Sequence, residues 1–314
     1  MALPTATHST YASIGNREDL SDVIWRVDPT DTPFSSSLER TDASAVNHEW
    51  QTQALASAST SNAVLEGDDA ITDAATATVR LGNICQIQDK VARVSGTQEV
   101  IKKAGRSNEM AYQLVLKGLE LKLDVEATLL TNQAKVTGNS TTARKLASVC
   151  SWITTNTSNG GGSDATGDGT DARTDGTQRA YTESLLKTVL QLCWNSGGNP
   201  GTIMLGGFNK QQMSMFVGRG TPTEDAKSKK IVATVDVYES DFGTLKVVPN
   251  RSNLRTRDCL ILQNDMWALA TLRDMATKDL AITGDSKRKQ IIMEHTLECR
   301  NEKASGAVWD LTTS

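Results

Sequence analysis

At 314 residues, 38 % hydrophobic and 4 % aromatic, the chain has material for one large or two medium cores, and no window reaches the roughly eighteen consecutive apolar residues of a membrane span. Three histidines, His8, His48 and His295, leave few candidates for a histidine-rich metal centre or a histidine general base. Net charge is −4 but lies unevenly: residues 1–89 hold four arginines, no lysine and thirteen acids, a net −9, and residues 90–314 carry +5, a split that suits contact between the two parts, or a solvated acidic face, better than sequence-specific nucleic-acid binding.

The opening "MALPTATHSTYASIG" has neither the basic n-region nor the apolar h-region of a secretory signal, so synthesis in the cytoplasm is expected. In "GNREDLSDVIWRVDPTDTPF", Asn16 caps a predicted helix whose first turn carries Glu18 and Asp19. Leu20, Val23, Ile24 and Val27 recur on one side, with Trp25 beside them, and Pro29 and Pro33 end the run. At about three turns this helix is too short to stand alone. It docks either on its own domain or, as an arm, on something else.

From Val46 to Val94 the pattern changes to strands. "VNHEWQTQAL" and "TATVRLGNICQIQDKVARV" alternate, the second placing Val79, Leu81, Cys85, Ile87 and Val91 on one face. His48-Glu49 begins like the zinc signature His-Glu-x-x-His, but Thr52 stands where the second histidine should be. Between the strands, residues 57–75 are small and polar with an acidic tip at Glu66, Asp68 and Asp69. A long hairpin so poor in apolar residues is expected to lie on another surface, with the amphipathic ring of Trp50 anchoring its base.

Residues 98–136 form the longest helical pattern, with Tyr112, Leu116, Leu119, Leu123, Ala127, Leu130 and Ala134 on one side, Gly105 as its weak point and Gly138 as its end. Unbroken, it spans about 58 Å as a strut, or as one strand of a coiled coil. Residues 154–178 are a Gly/Ser/Thr/Asp loop, expected to be solvated; its acids suit calcium, but no EF-hand register fits. A helix from Thr182 then turns Leu186, Val189, Leu190 and Cys193 to one face, followed by the buried strand "GTIMLGG" and a helix over "NKQQMSMFVG". "IVATVDVYESDFGTLKVVPNR" is two strands joined at "ESDFG", and "CLILQNDMWALATLR" an apolar pair. "QIIMEHTLECRNEKASGAVWDLTT" makes a final hairpin turning at "NEKASG", with Ile291, Met293, His295, Leu297 and Cys299 on one face and His295 a satisfied core residue. No catalytic constellation, cofactor motif or phosphate loop is visible.

This order of arm, long hairpin, strut, mixed region and returning hairpin resembles the Hong Kong 97-like major capsid fold of tailed bacteriophages, an α+β fold. "GNREDLSDVIWRVDPTDTPF", "HEWQTQAL", "LEGDDA", "SWITTN", "VYESDFGTLKVVPNR", "LAITGDS" and "EHTLECRNEKASGAVWDL" are similar to a subfamily of phage major head proteins. The resemblance implies an N-terminal arm (1–44), an E-loop (45–95), a peripheral domain with a long spine helix (96–144 and 280–314) and an axial domain (145–279). It implies a structural protein, not an enzyme, that self-assembles into hexameric and pentameric capsomers of the icosahedral head, made and assembled in the host cytoplasm. An encapsulin-type compartment shares the fold, and a hydrolase or adhesin using the Asp/Gly-rich loop is the reading from another class.

Under that resemblance Leu20, Val23, Ile24, Trp25, Trp50, Glu66, Asp68 and Asp69 are the candidate intersubunit contacts. Implied partners are a scaffold, a cement or decoration protein, a portal and double-stranded DNA touched weakly and without sequence preference; no membrane and no cofactor is expected. The five cysteines are odd in number, making Cys85, Cys150 and Cys299 candidates for an intersubunit disulfide against the alternative of buried free thiols. The type member of the fold is held by a lysine–asparagine cross-link, but here no lysine precedes Lys90, which falls at the foot of the hairpin, so the E-loop tip has no amine nucleophile to offer.

Overall fold

The computed structural model describes residues 26, 28–69, 74–216, 223–225, 230–232, 235–251 and 255–313. Leu20, Val23, Ile24 and Trp25 lie outside the described residues. In chain order come α1 (Pro33–Ser37), β1 (Glu39–Asp42), β2 (Asn47–Thr52), β3 (Val79–Ile84), β4 (Gln86–Ser95), α2 (Gly96–Val100) and α3 (Glu109–Leu130). The middle of the chain supplies α4 (Val149–Trp152), β5 (Thr157–Ser158), α5 (Glu183–Asn195), β6 (Thr202–Leu205), α6 (Gly207–Ser214), β7 (Thr223–Asp225) and β8 (Lys230–Val232). The last third supplies β9 (Val237–Ser240), β10 (Gly243–Pro249), β11 (Cys259–Leu262), β12 (Trp267–Asp279), β13 (Ser286–Cys299) and β14 (Gly306–Val308).

Two sheets organise these elements. The first has the order β1-β12-β13-β4, antiparallel except that β1 runs parallel to β12. Helix α3 packs on it through Leu121, Val125 and Leu129, four residues apart and therefore on one side, against Leu269, Ile291, Met293 and Leu297. The second sheet has the order β5-β14-β11-β6-β10-β9. Its outer layer is α5, whose Leu186, Val189, Leu190 and Cys193 are buried as their spacing predicts. Strands β9 and β10 pair antiparallel about the "ESDFG" turn, also as expected. Met204, Leu260, Leu262, Ala307 and Trp309 of the second sheet join the same core as α3, so one apolar cluster unites both sheets.

The strut is shorter than its pattern. Helix α2 ends at Val100, Gly105 takes φ +73°, and α3 begins only after Asn108, whose side chain accepts from the Ala111 amide at 2.8 Å. At the other end Thr131 is extended, and the amides of Lys135 and Val136 donate to the carbonyls of Gly169 and Lys145 instead of continuing the helix. The 22 residues of α3 span about 33 Å, not the 58 Å of an unbroken run.

The final hairpin does not form. Strand β13 lies between β12 and β4, whereas β14 pairs with β11 and β5 in the other sheet. The "CLILQNDMWALATLR" pair is likewise divided, β11 going to the second sheet and β12 to the first. A domain division at 279/280 therefore falls between β12 and β13, strands that pair along most of their length. His295 is fully buried, but neither ring nitrogen has a hydrogen-bond partner among the described residues. Burial, with Arg40 nearby, pushes its pKa down to about 4, so it sits in the core as neutral imidazole.

The Asp/Gly-rich loop is partly packed rather than solvated throughout, with Asn156, Ala165, Gly169 and Arg173 buried. Arg173 and Asp310 are buried and paired at 3.1 Å, with Arg257 on the other Asp310 oxygen at 2.8 Å. The amides of Gly160 and Gly176 donate to the same carboxylate at 3.0 and 2.9 Å. Burial opposes its charge, yet these amides and Arg173 hold the Asp310 carboxyl below its ordinary range. The acids that suggested a cation are committed elsewhere: Asp164 accepts from Thr157 and Asn159, Asp168 from Thr166 and Thr170, and Asp175 from Arg255.

Candidate intersubunit surface

Strands β2 and β3 form the predicted hairpin root, in a register that sets Trp50 opposite Leu81 and Asn47 opposite Ile84. Trp50 is half-buried against the core, its ring 5.3 Å from that of Trp152 and 5.9 Å from that of His48. Three polar contacts lock the root. Fully buried Asn83 donates to the carbonyls of Ala147 and Leu297 at 3.0 and 2.8 Å and accepts from the amides of Ala147 and Ile84 at 2.8 and 2.9 Å. Lys135 Nζ donates to the carbonyls of Gly82 and Asp168, both at 2.8 Å. His48 Nε2 lies 3.1 Å from Glu298 Oε2, and this contact, against burial, helps hold the Glu298 carboxyl below its usual range.

Beyond the root the chain changes character. Residues 53–69 and 74–78 form neither helix nor strand and are exposed throughout. Leu55 is 97 % exposed, Val64 80 % and Leu65 79 %. The acidic tip is a tight turn in which the Asp68 amide donates to the Leu65 carbonyl at 3.2 Å and Gly67 takes φ +83°, the third-position conformation that favours glycine. Glu66, Asp68 and Asp69 all face solvent, and none makes an ion pair among the described residues. The structure thus places Trp50 at one end of the hairpin and the three acids at the other.

The second strand of the pattern is broken at Cys85, whose amide donates to the Val46 carbonyl at 2.7 Å. That break hands the chain from β3, which pairs with β2, to β4, which pairs with β13, and reverses the faces. Ile87 and Val91 are each 43 % exposed, while Ala92 and Val94 are buried. The five residues expected on one face therefore divide between two.

The disulfide candidates are corrected by burial. Cys85, Cys150 and Cys299 are free and buried, Cys85 beside Ala43 and Ala270, the other two in the main core. Burial, with Glu294 nearby, pushes the Cys85 thiol up to about 11, and burial raises Cys150 and Cys299 well above the usual thiol range. Within this chain none is an exposed thiolate.

Among the described residues this segment has no surface of its own chain to lie on, and comparison with known proteins says what kind of protein carries it. The family described as SU10 major capsid protein matches residues 4–312. The chain belongs to that family. This capsid protein is 28 % identical to the major capsid protein of Escherichia phage Phieco32, over 98 % of each chain. In fold it is similar to a chain of Gordonia phage Cozz, with a TM-score of 0.61 at 9 % identity and coverage of 99 % and 98 %. It is also similar to a chain described as Phage G gp27 major capsid proteins and gp26 decoration proteins, with a TM-score of 0.53 at 9 % identity and coverage of 99 % and 100 %. It is a structural protein of the virion head, and the encapsulin alternative is not favoured.

Sequence reasoning found Trp50 and the acidic tip but missed Asn83, Lys135 and Glu298. Asn83 had a signal, an amide inside the apolar run "RLGNIC", where a polar side chain must find partners. Glu298 and Lys135 had none, because their partners are distant in the chain.

Proposed function

We propose that copies of this capsid protein form hexameric and pentameric capsomers and close into an icosahedral shell, with residues 45–95 as an E-loop lying over the adjacent copy. The observation that carries this reading is the contrast between a root held by Trp50, Asn83 and Lys135 and a far end wholly exposed, with Leu55, Val64 and Leu65 in water. Isolated strandless segments of this kind do not hold a conformation by themselves, whereas a shell supplies each copy with the same complementary surface. In this reading residues 1–44 are the arm, 96–144 with 280–314 the peripheral domain with α3 as its spine helix, and 145–279 the axial domain. Leu20, Val23, Ile24 and Trp25 of the arm, and Trp50, Glu66, Asp68 and Asp69 of the E-loop, are its intersubunit contacts.

Assembly takes place in the host cytoplasm, with a scaffold, a portal and a decoration protein as partners, the last suggested by the proteins named together in the Phage G structure. Contact with packaged double-stranded DNA is weak and non-specific, since a net charge of −4 gives no general counterion-release drive. Residues 1–89 contain no lysine and Lys90 lies at the foot of the hairpin, so the shell is not closed by a lysine–asparagine bond from the E-loop tip. The test is electron microscopy of the expressed chain beside two variants, one lacking residues 1–28 and one with residues 53–78 replaced by a Gly/Ser linker. Closed shells from the wild type, and soluble capsomers or monomers from both variants, are expected; normal shells from the linker variant would overturn the E-loop assignment. Virions boiled with detergent and reductant should give one band near 33.8 kDa and no covalent ladder.

A further inference from the structure

We propose that Glu126 sets the direction in which the N-terminal segment leaves the subunit, and that shell assembly depends on its carboxylate for that reason. The inference rests on the reading of residues 1–44 as an intersubunit arm.

Glu126 is on α3 and fully buried, between Val125 and the apolar run that ends the helix. A carboxylate there costs stability unless every oxygen is satisfied. Its satisfaction is non-local: Oε1 accepts from the Phe34 amide at 2.8 Å and from Asn250 Nδ2 at 3.0 Å, and Oε2 accepts from the Ser35 amide at 2.7 Å. Phe34 and Ser35 open α1, where backbone donors have no partner within the helix. The residue placed to cap them, Thr32, makes no side-chain capping bond. An acid 91 residues away in sequence therefore does what a local serine or aspartate would do at lower cost, and a local cap would leave α1 untied.

What the distant cap adds is position. Asn250 follows β10, and its own amide donates to the Leu205 carbonyl at 3.0 Å, so one carboxylate joins α1 to the spine-like helix and to the six-stranded sheet. Phe34 enters the main core beside Leu121 and Val125, and β1 follows at once in parallel with β12. Among the described residues upstream, Asp28, Thr30 and Asp31 are exposed, and the pair Asp31–Arg251, at 4.0 Å with both side chains about 70 % exposed, is too wet to orient a chain. Among the described residues the clamp at Phe34 and Ser35 is thus the first firm point of the N-terminal segment. A helix of five residues has no stability of its own to keep that point in place without it.

The experiment substitutes Glu126→Gln, which preserves shape but offers one acceptor oxygen and points an N–H₂ group at amide donors. Unassembled subunits should still unfold cooperatively, while the Phe34 and Ser35 amides exchange with deuterium at least about tenfold faster, the loss of a charged hydrogen bond. The yield of normal shells should fall by a similar factor. In a chain lacking residues 1–28, Glu126→Gln should change assembly no further, because the effect runs through the arm. Normal shells from Glu126→Gln beside an assembly-defective deletion would overturn this inference alone; normal shells from the deletion would remove the arm reading and this inference with it. If Glu126→Gln does not fold, Glu126→Asp, which keeps the charge but cannot reach both amides, replaces it. Failure of both to fold would assign Glu126 to the core and overturn the proposal.

Discussion

The two ends of one hairpin differ in every physical respect. At the root, the β2–β3 ladder is closed, Asn83 satisfies four backbone and side-chain bonding positions, and Trp50 rests on Trp152. At the far end no ladder exists, apolar side chains stand in water and three carboxylates crowd one turn. In the proposed reading a rigid foot and an unfinished end serve the same purpose: the foot aims a segment that a neighbouring copy stabilises.

The comparison can be broken first at Asn83. Asn83→Leu keeps the volume but leaves the carbonyls of Ala147 and Leu297 and the Ala147 amide unpaired in the core, so urea unfolding of the isolated subunit should show a loss of about 3–4 kcal/mol. Trp50→Ala comes next, at about 2–3 kcal/mol, less than a fully buried tryptophan because the ring is partly exposed. A loss under about 0.5 kcal/mol from either would mean the root is not the anchor described.

Acid should loosen the root and leave the far end indifferent. The folded pKa of Glu298 is depressed by its His48 contact from the ordinary 4.5, so its stabilisation is complete above that value and is lost as pH falls through the folded pKa. His48→Ala should therefore flatten the decline in stability below pH 4.5 by about 1 kcal/mol, read from denaturant midpoints at pH 3 and pH 6. An unchanged decline would detach Glu298 from the root. The smallest effect on the isolated subunit belongs to the tip: Glu66→Gln, Asp68→Asn and Asp69→Asn together should change its stability by less than about 0.5 kcal/mol. They should remove much of the salt dependence of assembly instead, and equal salt dependence with and without the acids would locate the charge contact elsewhere.

How much of this was legible follows from where each signal resides. Alternation in "VNHEWQTQAL" and a lone tryptophan in a polar stretch located the root; Gly and acids located the tip; spacing placed the buried face of α5. The helical periodicity of 98–136 misled because apolar spacing persists through residues whose backbone is committed elsewhere, by the Gly105 turn at one end and by Lys145 and Gly169 carbonyls at the other. An odd count of cysteines says nothing about depth, and all five are buried and free, the alternative the sequence reading set against a disulfide.

The sequence by itself determined the local and the unpartnered: which segments are strands, which helix face is apolar, that no lysine arms the hairpin, and that residues 57–75 cannot build a core. Only the tertiary structure decided which strands pair, sending β13 and β14 to different sheets, and which isolated polar residues are satisfied. None of Asn83, Glu126 and Asp310 shows its partners in the sequence, although the apolar run around Asn83 marks it as needing some. Each becomes a joint because its hydrogen-bonding partners lie 64, 92 and 150 residues away, and bonds at such separations form only when burial of the whole core brings the segments together.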